Sequence, residues 1–216
     1  MSWEKVKLID ICTPKQWKTI STSELLEKGY PVYGANGKIG FFNHYTHEYP
    51  TVMITCRGAT CGTINISEPK SYINGNAMAL DKIKNTVDKK YLYYYLTQYD
   101  FKNVISGSAQ PQITGQGLQK VELPLPPLHI QQHIAAILDK ADALRQQDQQ
   151  LLHKYDELAQ SIFYEMFGDP VTNEKRWKEY ELKDLFHSNP RLGTVKPASI
   201  SGDIPIVRVG ELGNIN

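Results

Sequence analysis

The sequence predicts an α+β fold, in which a mixed α/β domain is followed by one long helix of the coiled-coil type. Three observations support this. Short β-type runs alternate with turn residues over residues 1–127, a stiff proline segment closes that region, and residues 130–167 contain neither glycine nor proline. Because 41% of the 216 residues are apolar, we expect most of the chain to be folded.

The β-type runs of the first region are short and bounded by turn residues. They are residues 30–33, 39–42, 51–55, 63–66 and 76–83. The first two flank a glycine-rich turn at 34–37. The next two flank residues 57–60, which predicts a hairpin with a loop of four to six residues.

A helix is predicted after the last of these runs, with Asp88 as its N-cap. Five apolar or aromatic side chains then fall on one face at helical spacing: Tyr91, Leu92, Tyr95, Leu96 and Tyr99. Packing in the core is the favoured interpretation of these tyrosines and of Tyr93 and Tyr94. Stacking on nucleic-acid bases is the alternative.

Residues 121–127 predict an extended segment that ends the domain, since prolines alternate with apolar residues there. In the following helix, apolar residues recur every three or four positions, interrupted by Asp148. They are Ile134, Ile137, Ala141, Leu144, Leu151, Tyr155, Leu158 and Ile162. A helix of ~38 residues would be roughly 57 Å long and cannot bury this stripe against itself. We therefore expect it to need a partner.

The sequence restarts after the predicted helix end at Gly168-Asp169-Pro170. Residues 177–185 repeat the pattern of residues 3–11 at an offset of 174, and the same offset carries Pro31-Val32 onto 205–206. The predicted organisation is a mixed α/β domain at 1–127, a long helix at 128–170, and the truncated start of a second repeat at 171–216.

Charge is unevenly distributed between these regions. Residues 1–127 carry 14 Lys and Arg against 10 Asp and Glu, residues 128–170 carry 3 against 7, and residues 171–216 carry 7 against 6. A mildly basic domain attached to an acidic helix suits a DNA-binding protein whose helix faces protein. The opening residues contain no apolar signal core, and no apolar run is long enough to cross a bilayer, so we expect a cytoplasmic protein without a membrane partner.

Signatures of catalysis or metal binding are missing from the sequence. The spacing of Gly34, Gly37 and Gly40 does not match a phosphate loop, and His129 and His133 have no third ligand at a suitable spacing. Three cysteines, Cys12, Cys56 and Cys61, argue against a disulfide framework, and we expect Cys56 and Cys61 to be small buried residues in a strand pair. The sequence therefore predicts a non-catalytic protein without a cofactor or metal of its own.

Polar side chains in glycine-, serine- and proline-rich turns are the candidate DNA-binding residues. They are Asn36, Lys38, Arg57, Asn74, Asn76, Gln110 and Gln112. Asparagine and glutamine amides can pair with adenine, while arginine and lysine can bind guanine or phosphate. The alternative is that Asn74-Gly75-Asn76 and residues 106–108 are simply turn formers.

The order of these features resembles the specificity subunit of type I restriction-modification systems. The resemblance rests on the opening Trp3…Leu8-x-Asp10, on the segment 106–113, on the junction Pro126-Pro127-Leu128-x-x-Gln131-Gln132 and on the restart at Trp177. Such subunits contain two recognition domains and two spacer helices, so this chain resembles one half of the pattern.

The resemblance implies that the domain binds half of a split site in double-stranded DNA. It further implies that the helix pairs with a second helix and docks methyltransferase (modification) subunits, which use S-adenosylmethionine, with a restriction subunit as a further member of the complex. For a single repeat we expect a homodimer. Two alternatives stay open: a decoy that binds methyltransferase subunits without binding a DNA site, and an enzyme with an unrecognised active site.

Overall fold

The structure is a computed structural model that describes residues 3–35, 37–107 and 110–186. The chain divides into two compact units, Met1–His153 and Lys154–Asn216, and the second is described up to residue 186. Strands and helices are both present in the first unit, which confirms the predicted α+β class.

The described residues of the first unit contain nine strands. They are β1 (Lys5–Lys7), β2 (Thr13–Gln16), β3 (Tyr30–Gly34), β4 (Gly37–Phe42), β5 (Val52–Thr55), β6 (Ile64–Ile66), β7 (Tyr72–Ile73), β8 (Ala77–Asp81) and β9 (Glu122–Pro124). The α-helices are α1 (Leu8–Ile11), α2 (Lys89–Gln98), α3 (Gly115–Leu118) and α4 (Leu128–Phe167), and 3-10 turns cover Thr22–Glu24, Phe101–Asn103 and Leu182–Leu185. The long helix thus begins at Leu128, the first residue of the predicted helical segment, and ends at Phe167, directly before the predicted stop at Gly168-Asp169-Pro170.

The strands form three sheets. One is antiparallel with the order β2-β8-β5-β6, the second has the order β4-β3-β7 with β3 and β7 parallel, and the third pairs β1 with β9. The predicted β5–β6 hairpin is confirmed, but its connection at residues 56–63 is longer than expected. The runs around the turn at 34–37 also pair, as β3 and β4.

Strand β5 is buried on both faces of its sheet. Val52 and Ile54 face the larger apolar cluster, which contains Leu92 of α2, whereas Met53 faces a second cluster with Tyr33 of β3. Such two-sided burial produces a continuous apolar strand rather than an alternating one. The four-stranded sheet therefore lies between the helices and the second sheet.

Helix α2 begins as predicted, because the Asp88 carboxylate accepts hydrogen bonds from the backbone N–H groups of Lys90 (3.0 Å) and Tyr91 (2.9 Å). Tyr91 is buried, and its hydroxyl donates to the carbonyl of Pro124 at 2.7 Å. The Tyr95 hydroxyl donates to the carbonyl of Glu122 at 3.1 Å. These tyrosines pack within the domain, in line with the favoured interpretation.

The proline segment does more than end the domain. Its strand β9 pairs with β1, so that Lys5 lies opposite Pro124, and the Leu125 N–H donates to the Glu4 carbonyl at 2.9 Å. The sequence analysis did not predict β1. The chain therefore enters and leaves the domain through adjacent antiparallel strands.

Gln131, in the first turn of α4, is fully buried and joins three segments of the first unit. Its Oε1 accepts from the Asp88 N–H at 2.9 Å, and its Nε2 donates to the carbonyls of Thr86 (3.0 Å) and Pro126 (2.7 Å). The neighbouring Ala135 is also buried. One amide thereby ties α4 to the start of α2 and to the proline segment.

A second, exposed contact lies two turns further along α4. Asp139 accepts a hydrogen bond from the Tyr94 hydroxyl at 2.8 Å and forms an ion pair with Lys90. The hydrogen bond from the Lys90 ammonium holds the pKa of Asp139 below its ordinary value. This stabilising contribution is present above the ordinary carboxyl pKa and is lost as the pH falls through the lowered one.

The second unit contains the end of α4 and the segment that follows it. Gly168 ends the helix with a φ of +77°, and the Trp177 indole N–H donates to the Phe167 carbonyl at 2.7 Å. Lys175 donates to the carbonyl of Met166 at 2.8 Å. The 3-10 turn Leu182–Leu185 lies at the offset of 174 from α1, which supports the repeat, whereas the match at 205–206 lies outside the described residues.

Replacing Gln131 with leucine should lower the free energy of unfolding by about 2–4 kcal/mol, because the Asp88 N–H and two carbonyls would lose their partner in a buried place. Urea unfolding followed by circular dichroism measures the change. Gln132→Leu is the matched control, since its exposed neighbouring side chain should change stability by no more than about 0.5 kcal/mol. Equal unfolding midpoints for the two variants would contradict the role of Gln131.

Candidate nucleic-acid interface

Four segments of the first unit meet at one end of the four-stranded sheet, and we refer to them as the loop cluster. They are the turn at 34–37, the β5–β6 connection at 56–63, the turn at 74–76 and the segment 106–113, without residues 36, 108 and 109, which lie outside the described residues. Five of the seven candidate DNA-binding residues in the sequence prediction fall in described parts of this cluster: Arg57, Asn74, Asn76, Gln110 and Gln112.

Backbone pairing joins the second and fourth segments. Arg57 and Gln112 form an isolated antiparallel bridge, and the Gly58 N–H donates to the Pro111 carbonyl at 3.1 Å. Within the fourth segment, Ser106 and Gln112 exchange backbone hydrogen bonds of 2.8 and 2.9 Å. Residues separated by more than fifty positions in the chain are therefore neighbours here.

The other two segments attach to the same strand end. The Thr55 hydroxyl donates to the Ala35 carbonyl at 2.8 Å, and the Cys56 N–H donates to the Asn76 carbonyl at 3.0 Å. The Ile113 N–H donates to the Cys56 carbonyl at 3.0 Å. Because each contact uses backbone or a short hydroxyl, the cluster is held independently of the longer side chains.

Three of the predicted side chains in the cluster are exposed: Arg57, Gln110 and Gln112. Among the described residues, no hydrogen bond or ion pair engages the Arg57 guanidinium or either glutamine amide. Asn76 is half-buried, and its backbone carbonyl supports the Cys56 N–H. The structure thus brings a guanidinium and two amides together at one surface, where they are available to a ligand.

Lys38 lies beside the cluster on β4. Its ammonium forms an ion pair with Glu68 at 3.2 Å and lies 4.8 Å from the centre of the Phe41 ring. Both partners of this ion pair are partly exposed, so the pair contributes little to stability and can exchange for a phosphate. Asn36 lies outside the described residues.

Asn74 does not have the position that a base-contacting residue requires. It is 2% exposed, and its Nδ2 donates to the Ile20 carbonyl at 3.1 Å, while its backbone N–H donates to the Tyr33 carbonyl at 2.8 Å. The alternative interpretation fits this residue, because the asparagine holds a turn. The interpretation of Asn74 as a surface-exposed DNA-binding residue is therefore corrected.

The cysteines near the cluster have structural environments. Cys56 is buried directly after β5, where its sulfur accepts from the Gln16 amide at 3.0 Å, and burial raises the pKa of its thiol. Cys61 is half-buried in the following loop, and burial raises its pKa as well. Protonated thiols are poor nucleophiles and poor metal ligands. In the described residues no group of three His, Cys, Asp or Glu side chains could hold a metal ion.

The apolar stripe of α4 is exposed over most of its length. Large side chains between 46% and 62% exposed are Ile137, Leu144, Leu151, Tyr155, Leu158 and Ile162, and Ala141 is exposed as well. Ile134 differs, because it packs against the core of the domain. Ile134 is half-buried in this way, and its place in the dimer stripe stays a prediction.

The sequence analysis missed further exposed apolar residues on the same helix. Leu138, Leu152 and Met166 are 37%, 64% and 59% exposed and follow one another at intervals of fourteen residues. That spacing equals two heptads, so all three lie at one heptad position beside the stripe. This heptad spacing could have been recognised in the sequence, but the sequence analysis considered only the narrow seam between two helices, which does not include these residues. No helix of the described residues is long and apolar enough to cross a membrane.

Comparison with known proteins identifies the family to which this chain is similar. Residues 1–154 match the model of the type I restriction modification DNA specificity domain. A putative type I restriction enzyme specificity subunit of Haemophilus influenzae is 27% identical over 214 residues, covering 91% of this chain and 53% of the relative. A type I restriction enzyme specificity subunit of Escherichia coli is 30% identical over 115 residues, covering 53% of this chain and 28% of the relative.

Solved structures agree with this result at the level of the fold. The type I restriction-modification S subunit from M. genitalium superposes with a TM-score of 0.61 at 17% identity, covering 81% of this chain and 47% of that one. A chain from a study of type I system assembly and conformational transition gives a TM-score of 0.57 at 24% identity, covering 74% and 44%. This chain spans about half the length of such relatives or less. It belongs to the family of type I restriction-modification DNA specificity domains, whose members are recognition components and not catalytic ones.

Proposed function

We propose that this chain is a half specificity subunit that binds double-stranded DNA through the loop cluster, homodimerises through α4 and docks methyltransferase subunits. The observation that carries the proposal is the match of residues 1–154 to a DNA specificity domain. Methylation would come from the partner, which holds S-adenosylmethionine, and a restriction subunit would complete the complex in the cytoplasm.

The loop cluster supports the DNA-binding part of the proposal. Arg57, Gln110 and Gln112 are exposed on a backbone that is hydrogen-bonded to the sheet. Guanidinium and amide groups match the hydrogen-bonding edges of guanine and adenine in the major groove. Lys38 and Asn76 flank these groups and suit contacts with the phosphate backbone.

The exposed stripe of α4 supports the dimer. Burying an apolar helix face against an identical helix is the usual solution for a single chain, and closed two-fold dimers are the commonest form. An antiparallel pair places the two recognition domains at opposite ends, more than one turn of DNA (~34 Å) apart. The additional row with Leu138 and Leu152 widens the face beyond a two-helix seam, which leaves apolar surface for methyltransferase subunits.

The domain organisation follows from the same proposal. Residues 1–127 are the recognition domain, residues 128–170 are the spacer helix, and residues 171–216 begin a second recognition repeat. The alternative of a decoy predicts the same helix but no sequence selectivity of the loop cluster. Sequence-selective DNA binding in the presence of methyltransferase subunits separates the two.

Replacing Leu144 and Leu151 together with glutamate should convert the dimer to a monomer of 24.6 kDa, because two charges would have to be buried in the seam of each helix. Analytical ultracentrifugation measures the mass. The double variant Gln146→Glu, Gln149→Glu is the matched control, since it adds the same charge outside the stripe. An unchanged mass for the leucine variant would exclude dimerisation through this stripe.

DNA binding by the purified chain alone should be weak and should decline steeply with salt. The domain carries an excess of only four positive charges and can neutralise few phosphates. We expect dissociation constants of about 1–100 μM at physiological salt, as for non-specific binding, and tighter binding once methyltransferase subunits are added. Fluorescence anisotropy with labelled duplexes tests this. Nanomolar, sequence-specific binding by the chain alone would contradict it.

The methylated site should be palindromic, with identical half-sites on either side of a spacer, because a two-fold dimer presents the same loop cluster twice. Arg57→Ala or Gln110→Ala should weaken discrimination at both half-sites together, by about 1–3 kcal/mol for each lost base contact. Asp148→Ala on the helix is the control and should leave the motif unchanged. Methylome mapping in a strain with this chain as its sole specificity component gives the answer, and an asymmetric motif would rule out the homodimer.

A further inference from the structure

A cleft of about 600 Å³ is lined by residues along β2, by Trp17 after it, and by residues at the end of β8, none of which belongs to the loop cluster. Thr13 pairs with Asp81 at the cleft end of β2 and β8, whereas Gln16 pairs with Met78 at the other end. The Gln16 amide there donates to the Gly75 carbonyl of the loop cluster at 3.1 Å. At 3.3 Å per residue the Asp81 end of the cleft lies about 10 Å along the strand from Gln16, and the cleft shares no lining residue with the loop cluster.

The lining of the cleft contains a carboxylate, Asp81, that has a hydrogen-bond partner on each oxygen. Asp81 accepts from the Trp17 indole N–H at 3.2 Å through one oxygen, and its other oxygen lies 2.9 Å from His47 Nε2. His47 is further held by the Thr46 hydroxyl, 2.7 Å from its Nδ1. Both oxygens of Asp81 are therefore engaged by groups of the protein.

The second acidic residue of the lining, Glu48, has a positively charged neighbour. Its carboxylate lies 3.9 Å from the Lys70 ammonium. Both carboxylates of the lining therefore have partners within the protein. Because the lining contains three lysines and two carboxylates, its formal charge favours an anionic ligand.

Three exposed lysines line the cleft: Lys15, Lys82 and Lys89. The Lys15 ammonium lies 3.7 Å from the centre of the Trp17 ring, and Lys89 donates to the Pro50 carbonyl at 3.2 Å. In the described part of the chain, no carboxylate forms an ion pair with any of the three. Three uncompensated positive charges around one cleft favour a ligand with more than one negative charge.

Aromatic surface accompanies these charges. Tyr49 lines the cleft, and its side chain is 72% exposed, so most of the aromatic ring is accessible to a ligand. A flat ring could stack on it, as nucleic-acid bases do on exposed aromatic residues. A carboxylate-rich peptide would use the lysines but would gain nothing from this ring.

We propose that the cleft binds a nucleotide unit, with its phosphates among Lys15, Lys82 and Lys89 and its base stacked on Tyr49. The volume lies within the range of small-molecule sites. A free nucleotide and a nucleotide of a single strand share this chemistry. The site is independent of base recognition by the loop cluster.

Isothermal titration of the full chain with ATP, inorganic tripolyphosphate and a short oligothymidylate tests the proposal. ATP should bind more tightly than tripolyphosphate. Lys82→Gln should weaken both, and Tyr49→Ala should weaken ATP by about fivefold or more while leaving tripolyphosphate unchanged. Lys28→Gln, an exposed lysine outside the cleft, is the matched control and should change neither. Circular dichroism verifies that each variant is folded.

The outcomes divide clearly. If oligothymidylate binds more tightly than ATP and this binding is lost in the same variants, the natural ligand is a single strand. If ATP binds more tightly than oligothymidylate, the natural ligand is a free nucleotide. The proposal is overturned if ATP does not bind at about 1 mM. It is also overturned if Lys82→Gln and Tyr49→Ala leave ATP binding unchanged, or if a polyglutamate peptide displaces ATP.

Discussion

The buried amide of Gln131 is the contact on which the junction between domain and helix depends. It satisfies a backbone donor at the start of α2 and two backbone acceptors, at Thr86 and in the proline segment, in a place that water does not reach. Exposed ion pairs such as Lys90–Asp139 add little by comparison. Because these partners are backbone groups, the direction in which α4 leaves the domain is determined by the fold and not by mobile side chains.

The four-stranded sheet determines which of its parts are accessible to ligands. Its central strand β5 is covered on both faces, by α2 on one and by Tyr33 of the second sheet on the other. Ligands can therefore reach strand β5 only at its two ends, where connecting loops present polar groups. One end presents the loop cluster with Arg57 and Gln112, and the other presents the cleft with Lys82. A single rigid element thus separates two chemically different surfaces.

Local signals allowed the sequence to predict the hairpins, the Asp88 cap and α4, because turn residues, a capping carboxylate and an unbroken apolar period act over a few residues. Strand β1 and its pairing with β9 could not be predicted from such signals, since each strand has three residues and the pairing spans more than a hundred positions. The residue types of the candidate DNA interface could be selected from the sequence, but the pairing of Arg57 with Gln112 could not. Asn74 shows the limit, since a turn former and a base reader look alike in sequence.

The pairing of β1 with β9 has an evolutionary consequence. Since the domain begins and ends on adjacent strands, everything between them can be exchanged as a cassette without moving the point at which α4 starts. Recombination at those two short strands would replace one DNA specificity by another and preserve the spacer, provided that the incoming domain retains backbone groups for Gln131. New target sequences could then arise by shuffling whole domains instead of accumulating point mutations.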